Sequence, residues 1–212
     1  MRDKLLAEFL GTYFLVFACT GAIVIETITH ALTSLGTALV AGLVVMALIY
    51  SFHHISGAHF NPAVTVSFWL LGLISAPSAF LYIASQILGA LAASGTVLFL
   101  FGDVAHLGAT LPVFSWHQTF WFEFLLTFWL MMVIFWSSVH EKAAKSFAGL
   151  AVGGMVALAA LIGGPVSGAS MNPARSLAPA LLSGDLDSLW VYLAATTLGT
   201  VAATALFRKL NP

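Results

Sequence analysis

Residues 56–63 are Ser-Gly-Ala-His-Phe-Asn-Pro-Ala, and residues 167–174 are Ser-Gly-Ala-Ser-Met-Asn-Pro-Ala. Each copy follows a long apolar segment and leads into an apolar run that is too short to cross a bilayer. A chain that repeats a motif in matching surroundings is expected to build the same unit twice. The two copies therefore predict a duplicated architecture organised around two Asn-Pro-Ala sequences.

The composition of the 212-residue chain indicates a membrane protein. Hydrophobic residues make up 60% of it and charged residues only 7%, which leaves too little polar surface to cover a fold in water. The formal net charge is −1 and there is no basic run, whereas nucleic-acid binding needs clustered Lys and Arg. We therefore expect membrane lipid as the surrounding medium and no nucleic-acid partner.

Six segments are long and apolar enough to cross a hydrocarbon core of roughly 30 Å. They are residues 5–25, 35–52, 80–101, 120–139, 147–166 and 189–207. Two shorter runs, residues 61–74 and 172–182, predict re-entrant half-helices, because proline fits the first helical turn and the preceding Asn can cap it. The alternative is a pair of surface turns. The predicted fold class is an all-α integral membrane protein with six transmembrane helices and two half-helices.

The order of these segments predicts an inverted repeat within one transmembrane domain. Residues 7–12 and 122–127 match as well, so each half holds three spans and one half-helix, with boundaries near 1–107 and 108–212. Three is an odd number, so the second half enters the membrane upside down relative to the first. The two half-helices then enter from opposite sides, and their Asn-capped starts are expected to meet near the midplane.

The positive charges predict the orientation of the chain. Six of the seven Lys and Arg residues lie before the first span, between the fourth and fifth spans, or after the sixth. These residues are Arg2, Lys4, Lys142, Lys145, Arg208 and Lys209. Basic residues mark the cytoplasmic side, so both termini are expected in the cytoplasm, in a multi-pass protein of the plasma (inner) membrane.

The seventh basic residue, Arg175, follows the second Asn-Pro-Ala directly. A charge at membrane depth normally faces a water-filled path, so we expect Arg175 in a pore wall. The alternative is that Arg175 pairs with Glu123 for packing.

Two helix N-termini directed at one point create a positive potential and leave N–H donors unsatisfied. Cations, including hydronium, are disfavoured there, while the side-chain amides of the two asparagines can donate hydrogen bonds to a passing oxygen. The residues expected at this pore midplane are Asn61, Pro62, Ala63, Asn172, Pro173 and Ala174.

Two carboxylates lie at matching places in the two halves, Glu8 in the first span and Glu123 in the fourth. They resemble ion-coupling groups of transporters. Their equivalence favours a structural role instead, in which each accepts backbone N–H groups from the half-helix loop of its own half.

The remaining candidate groups are histidines, a serine and one cysteine. We expect His59 to line the cytoplasmic mouth and His53 and His54 to stabilise the loop. No metal site is expected, because no Cys, Asp or Glu lies among these histidines. A hydrolase nucleophile such as Ser170 lacks a histidine base at suitable spacing. Cys19 is expected to be a small buried hydrophobic residue.

With these motifs, the chain resembles the aquaporins, also called major intrinsic proteins, over essentially its whole length. The resemblance is carried by Glu8-Phe9-Leu10-Gly11-Thr12, by residues 54–65, by Gln86 and by residues 170–176. It implies an hourglass-shaped pore in each subunit and a homotetramer.

The resemblance also places the family's narrowest constriction, its selectivity filter, on Ala41, Ala160, Ala169 and Arg175. Strict water channels of the family carry a bulky aromatic residue at the Ala41 position and a histidine at the Ala160 position, and glycerol channels carry two aromatic residues. Three alanines opposite one arginine imply a wide opening, because a methyl group fills far less volume than a ring.

Ser176 and Ala180 are similar to the water-type branch, while the small filter is similar to that of bacterial and plant members that pass neutral metalloid hydroxides. We therefore expect a passive channel, not an enzyme, with no cofactor. It would conduct water and small uncharged solutes (glycerol-like polyols, urea or neutral metalloid hydroxides such as arsenous acid) and exclude ions and protons. The alternatives are a strict water channel and a coupled secondary transporter, which also uses broken helices and inverted repeats.

Overall fold

The structure, a computed structural model, describes residues 1–211; the last residue of the expected second repeat, Pro212, lies outside them. The described chain forms eight α-helices connected by short loops. They are α1 (Arg2–Thr29), α2 (Thr33–Ser56), α3 (Pro62–Leu70), α4 (Ala76–Phe101), α5 (Trp116–Ile134), α6 (Ala148–Ser167), α7 (Pro173–Ser183) and α8 (Leu189–Leu210). A π-helical turn, Phe135–Val139, extends α5, and a short turn, Ala105–Gly108, lies between α4 and α5. The predicted fold class is confirmed.

The six long helices coincide with the six predicted spans, and each is long and apolar enough to cross a membrane. Both half-helices begin where predicted, with Asn61 and Asn172 as N-caps in extended conformation and a proline in the first turn. The end of the first was predicted wrongly. It ends at Leu70, not near residue 74, because Gly72 adopts a φ of +76° that an α-helix does not accommodate.

The two halves enter the membrane in opposite directions. We call the side that carries Arg2 and Arg208 the terminal side and the opposite side the distal side. The half-helix α3 runs from the middle of the protein to the terminal side, and α7 runs from the middle to the distal side. The N-termini of the two half-helices therefore face each other inside the protein.

Close helix contacts hold the halves together at glycines. A Cβ atom built on Gly42 of α2 would lie 2.5 Å from the carbonyl oxygen of Gly153 of α6, and one built on Gly153 would lie 2.7 Å from that of Gly42. Such reciprocal contact allows the two backbones to approach closely, as small residues do between membrane helices. The pair therefore joins α2 of the first half to α6 of the second.

The surface of the protein is apolar, and several polar side chains are buried within an otherwise apolar interior. Large apolar side chains such as Phe80 and Phe99 point outward, with exposed fractions of 71% and 87%. Glu8, Gln86 and Glu123 are fully buried instead. An apolar exterior suits lipid, and the interior polar groups need partners within the protein.

Candidate pore

The loop before each half-helix is irregular backbone at membrane depth. We call residues 57–60 the first loop and residues 168–171 the second loop. Both loops follow the same pattern of positive φ angles, at Gly57, Ala58 and Phe60 in the first and at the matching positions in the second. The first N–H of each loop still donates to the preceding helix, from Gly57 to the carbonyl of His53 and from Gly168 to that of Gly164. The backbone N–H groups that follow continue neither a helix nor a sheet and need other acceptors.

Glu8 supplies those acceptors for the first loop. Its Oε1 accepts from the hydroxyl of Ser56 at 2.6 Å and from the N–H of His59 at 3.0 Å. Its Oε2 accepts from the N–H of Phe60 at 2.8 Å and from Nε2 of Gln86 at 2.7 Å. Four donors on one carboxylate offset the cost of burying it.

Glu123 has a similar arrangement for the second loop, with three donors instead of four. It accepts from the hydroxyl of Ser167 at 2.6 Å, from the N–H of Ser170 at 2.8 Å and from the N–H of Met171 at 2.9 Å. Both carboxylates are therefore occupied by donors of their own half, which is the geometry expected of loop support.

The two asparagines connect the halves, a feature that the sequence did not reveal. In each, Oδ1 caps its own half-helix by accepting the N–H two residues further along, at 2.9 Å in the first half and 3.0 Å in the second. Nδ2 of Asn61 donates to the carbonyl of Met171 at 2.7 Å, and Nδ2 of Asn172 donates to the carbonyl of Phe60 at 2.9 Å. Each amide has two N–H groups, so one N–H remains for another acceptor.

Two cavities lead to this point from opposite sides. The terminal cavity, of about 100 Å³, is lined by His53, His59, both asparagines, Cys19 and Arg175, among others. The distal cavity, of about 420 Å³, is lined by Glu26, Ala41, Ala160, Ala169, Cys19 and Arg175, among others. Cys19 and Arg175 line both cavities, so the two cavities approach each other at these side chains and outline a candidate path through the protein.

All four predicted filter residues lie around the distal cavity: Ala41 from α2, Ala160 from α6, Ala169 from the second loop and Arg175 from α7. Arg175 is 4% exposed, and its Nη1 donates to the carbonyl of Gly108 at 2.8 Å. The alternative pairing of Arg175 with Glu123 is not observed. In residues 1–211 the one close contact between a basic and an acidic side chain joins His106 to Asp185.

His59 is buried and packs against the rings of Phe68 and Tyr82, with centroids at 4.4 and 5.3 Å. Its Nδ1 lies 3.1 Å from the hydroxyl of Thr65. His53 also lines the terminal cavity, and its Nδ1 lies 3.2 Å from the carbonyl of Gly57. Over residues 1–211, no group of three or more metal-ligating side chains is placed to hold an ion.

Cys19 is one of the cavity-lining residues that sequence reasoning missed, and it is one of two that border both cavities. It is half-buried, packs against a core cluster on one side and borders both cavities on the other. Leu15, one turn earlier on α1, lines the terminal cavity too. The spacing of four residues was available in the sequence, but an apolar pore wall and an apolar core give the same pattern.

Six apolar helices around a path where two capped half-helices meet define a helical membrane channel. Residues 1–207 match the family model described as Major intrinsic protein. The chain belongs to this family, whose members are passive channels rather than enzymes, as the motif resemblance predicted.

Similar proteins cover most of the chain. Nodulin-26 of Glycine max is 45% identical over 205 residues, which is 94% of this chain and 74% of that protein. Aquaporin NIP1-1 of Zea mays is 47% identical over 202 residues, covering 94% and 72%. Among solved structures, the aquaglyceroporin from Plasmodium falciparum superposes with a TM-score of 0.85 at 27% identity, covering 99% of this chain and 96% of the other.

Proposed function

We propose that the chain conducts water together with small uncharged solutes and excludes ions and protons. The solutes are glycerol-like polyols, urea or neutral metalloid hydroxides such as arsenous acid. The observation that carries the proposal is the constriction itself, where one arginine faces three alanines. We further infer two repeats near 1–107 and 108–212, which support one pore.

Exclusion of cations follows from the charges along the path. The N-termini of α3 and α7 both point to the middle of the path, and each carries roughly half a positive charge. The guanidinium of Arg175 adds a full positive charge at the constriction. A cation or hydronium would lose its hydration at the place where the protein field opposes it most.

Neutral solutes can form hydrogen bonds with donors and acceptors along the path. Each asparagine keeps one free amide N–H, and Nε and Nη2 of Arg175 have no protein acceptor within residues 1–211. In the same part of the chain, no protein donor reaches the carbonyl oxygens of Ala58, His59, Ala169 and Ser170. A hydroxylated solute can therefore exchange water for these groups one at a time.

The width of the filter favours solutes larger than water. Ala41, Ala160 and Ala169 present only methyl groups to the distal cavity, which leaves open the volume that an aromatic or imidazole ring would fill. The similar solved structure is that of an aquaglyceroporin, which supports the same direction. The small terminal cavity instead favours the second candidate, a strict water channel.

A coupled transporter is less consistent with the contacts. Glu8 and Glu123 are both occupied by loop donors and line neither cavity. Loop support is therefore the role that we propose for them.

We also propose that the protein forms a homotetramer in the plasma membrane with both termini in the cytoplasm. The tetramer follows from the family resemblance, and the orientation follows from six basic residues on or near the terminal side. His59 and His53 would then lie at the cytoplasmic mouth of the pore.

The decisive experiment is stopped-flow light scattering on proteoliposomes under gradients of water, glycerol, urea and arsenous acid. We expect entry of the larger solutes in the wild type, and at least tenfold slower entry of them in Ala160→His, because the imidazole fills the distal opening. Ala160→Ser is the matched control, since it adds polarity with little volume. Fast water without entry of any solute in the wild type would select the strict water channel.

A further inference from the structure

The connection between α4 and α5 carries a run of unfavourable backbone conformations on the distal side. Ala105, His106, Leu107 and Gly108 have φ angles of +50°, +51°, +54° and +70°. Residues with a Cβ atom rarely adopt this region, and three in succession persist only where neighbouring structure holds them. We call these four residues the left-handed turn.

The turn is held from inside the protein by packing. Leu107 is fully buried in a cluster with Val24 of α1 and Val97 of α4. Gly108 lies directly on α1, where an added Cβ atom would come within 2.8 Å of the Cα atom of Thr20. The inner half of the turn is therefore fixed between two spanning helices.

The turn is held from outside by a hydrogen bond. Nδ1 of His106 lies 2.8 Å from Oδ2 of Asp185, which also accepts from the hydroxyl of Ser183 at 2.8 Å. Asp185 comes just after the end of α7, so His106 ties the turn to the far end of that half-helix.

The near end of α7 touches the same turn. Arg175, in the first turn of α7, donates through Nη1 to the carbonyl of Gly108 at 2.8 Å. That contact is the one hydrogen bond of the guanidinium within residues 1–211. The position of the Gly108 carbonyl therefore determines where the charged group of the constriction lies.

We propose that His106 and Asp185 form a clamp that positions Gly108, and through it Arg175, and so sets the size of solute that passes. The clamp rests on the role proposed above for Arg175. His106 and Asp185 are positioning residues, because neither lines the terminal or the distal cavity. An intact clamp keeps the guanidinium against the wall; a broken clamp lets it sample the opening, which obstructs large solutes more than water.

The test compares two substitutions of His106 in proteoliposomes. His106→Leu removes the donor and is expected to lower the ratio of glycerol to water permeability about threefold, the effect of losing one partly exposed charged hydrogen bond. His106→Asn is expected to keep the wild-type ratio, because its amide nitrogen lies near the place of Nδ1 and Asn tolerates positive φ.

The chain offers a matched control in His30. It lies on the distal side with a φ of +53°, and its side chain makes no hydrogen bond within the described residues. His30→Leu thus introduces the same strain without touching the clamp. Asp185→Ala removes the acceptor without substituting a residue of the turn, so it must lower the permeability ratio as much as His106→Leu does. The variant with both substitutions must show no further decrease.

The outcomes separate the clamp from the proposed function. If the wild type passes water, urea and glycerol, and His106→Leu has the same ratio of glycerol to water permeability as His30→Leu, the clamp alone is overturned. A wild type that passes water only overturns the solute range, and the clamp then requires that His106→Leu slow water while His106→Asn does not. A wild type that passes none of the three overturns both.

Discussion

The first and second loops share one scaffold and differ in what is added to it. In both, a buried glutamate accepts the N–H groups of two loop residues, and an asparagine caps the half-helix that follows. The first loop adds Gln86 as a further donor to its glutamate. In the second half, Thr196 lies at the corresponding place and donates to the carbonyl of Tyr192 instead.

The residue after Asn-Pro-Ala differs most. It is Val64 in the first half and Arg175 in the second. Val64 packs into an apolar cluster, whereas Arg175 is joined to a separate loop through Gly108. The shared contacts satisfy backbone that membrane depth leaves without water, and every fold of this kind needs them twice. We infer that the positive charge at the constriction comes from Arg175, which has no counterpart in the first half.

The largest expected effect comes from breaking the shared scaffold. Glu8→Leu and Glu123→Leu each leave two backbone N–H groups buried without an acceptor, at about 1–3 kcal/mol per group. Glu8→Leu also leaves Nε2 of Gln86 without its carboxylate partner, so it should be the more damaging of the two. Thermal unfolding of purified protein in detergent measures both. Equal stability of either variant and the wild type would show that the glutamates do not support the loops.

The next effect concerns the position where the halves differ. Arg175→Val gives the second half the residue of the first, and it removes the positive charge from the constriction. We expect roughly tenfold or greater gains in urea and glycerol permeability and a measurable proton leak, because both size and charge barriers fall. Stopped-flow light scattering measures the solute permeability. The decay of a pH gradient, followed with a dye inside the vesicles, measures the proton leak.

Lys142→Val is the control for Arg175→Val, since Lys142 is an exposed residue of the loop after α5. It should leave both readouts at wild-type values. Unchanged solute permeability in Arg175→Val would place the constriction elsewhere, with Cys19 as the next residue to substitute, because it lines both cavities as well.

Much of the fold was predictable from the sequence, because membrane length, helix capping and odd-numbered repeats are local or periodic properties. Asn61 and Asn172 predicted the starts of both half-helices, because an asparagine can cap a helix and a proline follows each of them. The end of α3 was missed because its apolar run continues past Gly72, although a glycine at this place is a common signal for the end of a helix.

The site was predictable in part. The four filter positions came from motif resemblance, and they lie around one cavity. The crossed hydrogen bonds of Asn61 and Asn172, the place of Cys19 and the carbonyl of Gly108 were not predictable. Each depends on the separation of residues far apart in the chain, and no local spacing encodes it.

The smallest expected effect tests whether support and selectivity are separate. Tyr82 donates to the carbonyl of Ser56 at 2.9 Å, and Tyr192 donates to that of Ser167 at 2.8 Å. Replacing either tyrosine with Phe removes one hydrogen bond from the scaffold, which should lower the free energy of unfolding by about 1 kcal/mol in each half. The ratio of glycerol to water permeability should stay at the wild-type value in both variants, which stopped-flow scattering on the same preparations checks. If the ratio of glycerol to water permeability changes in Tyr192→Phe alone, the second scaffold itself positions Arg175, since only that half holds the charged group. If both variants lose equal stability and keep the wild-type ratio, the two tyrosines belong to the shared scaffold.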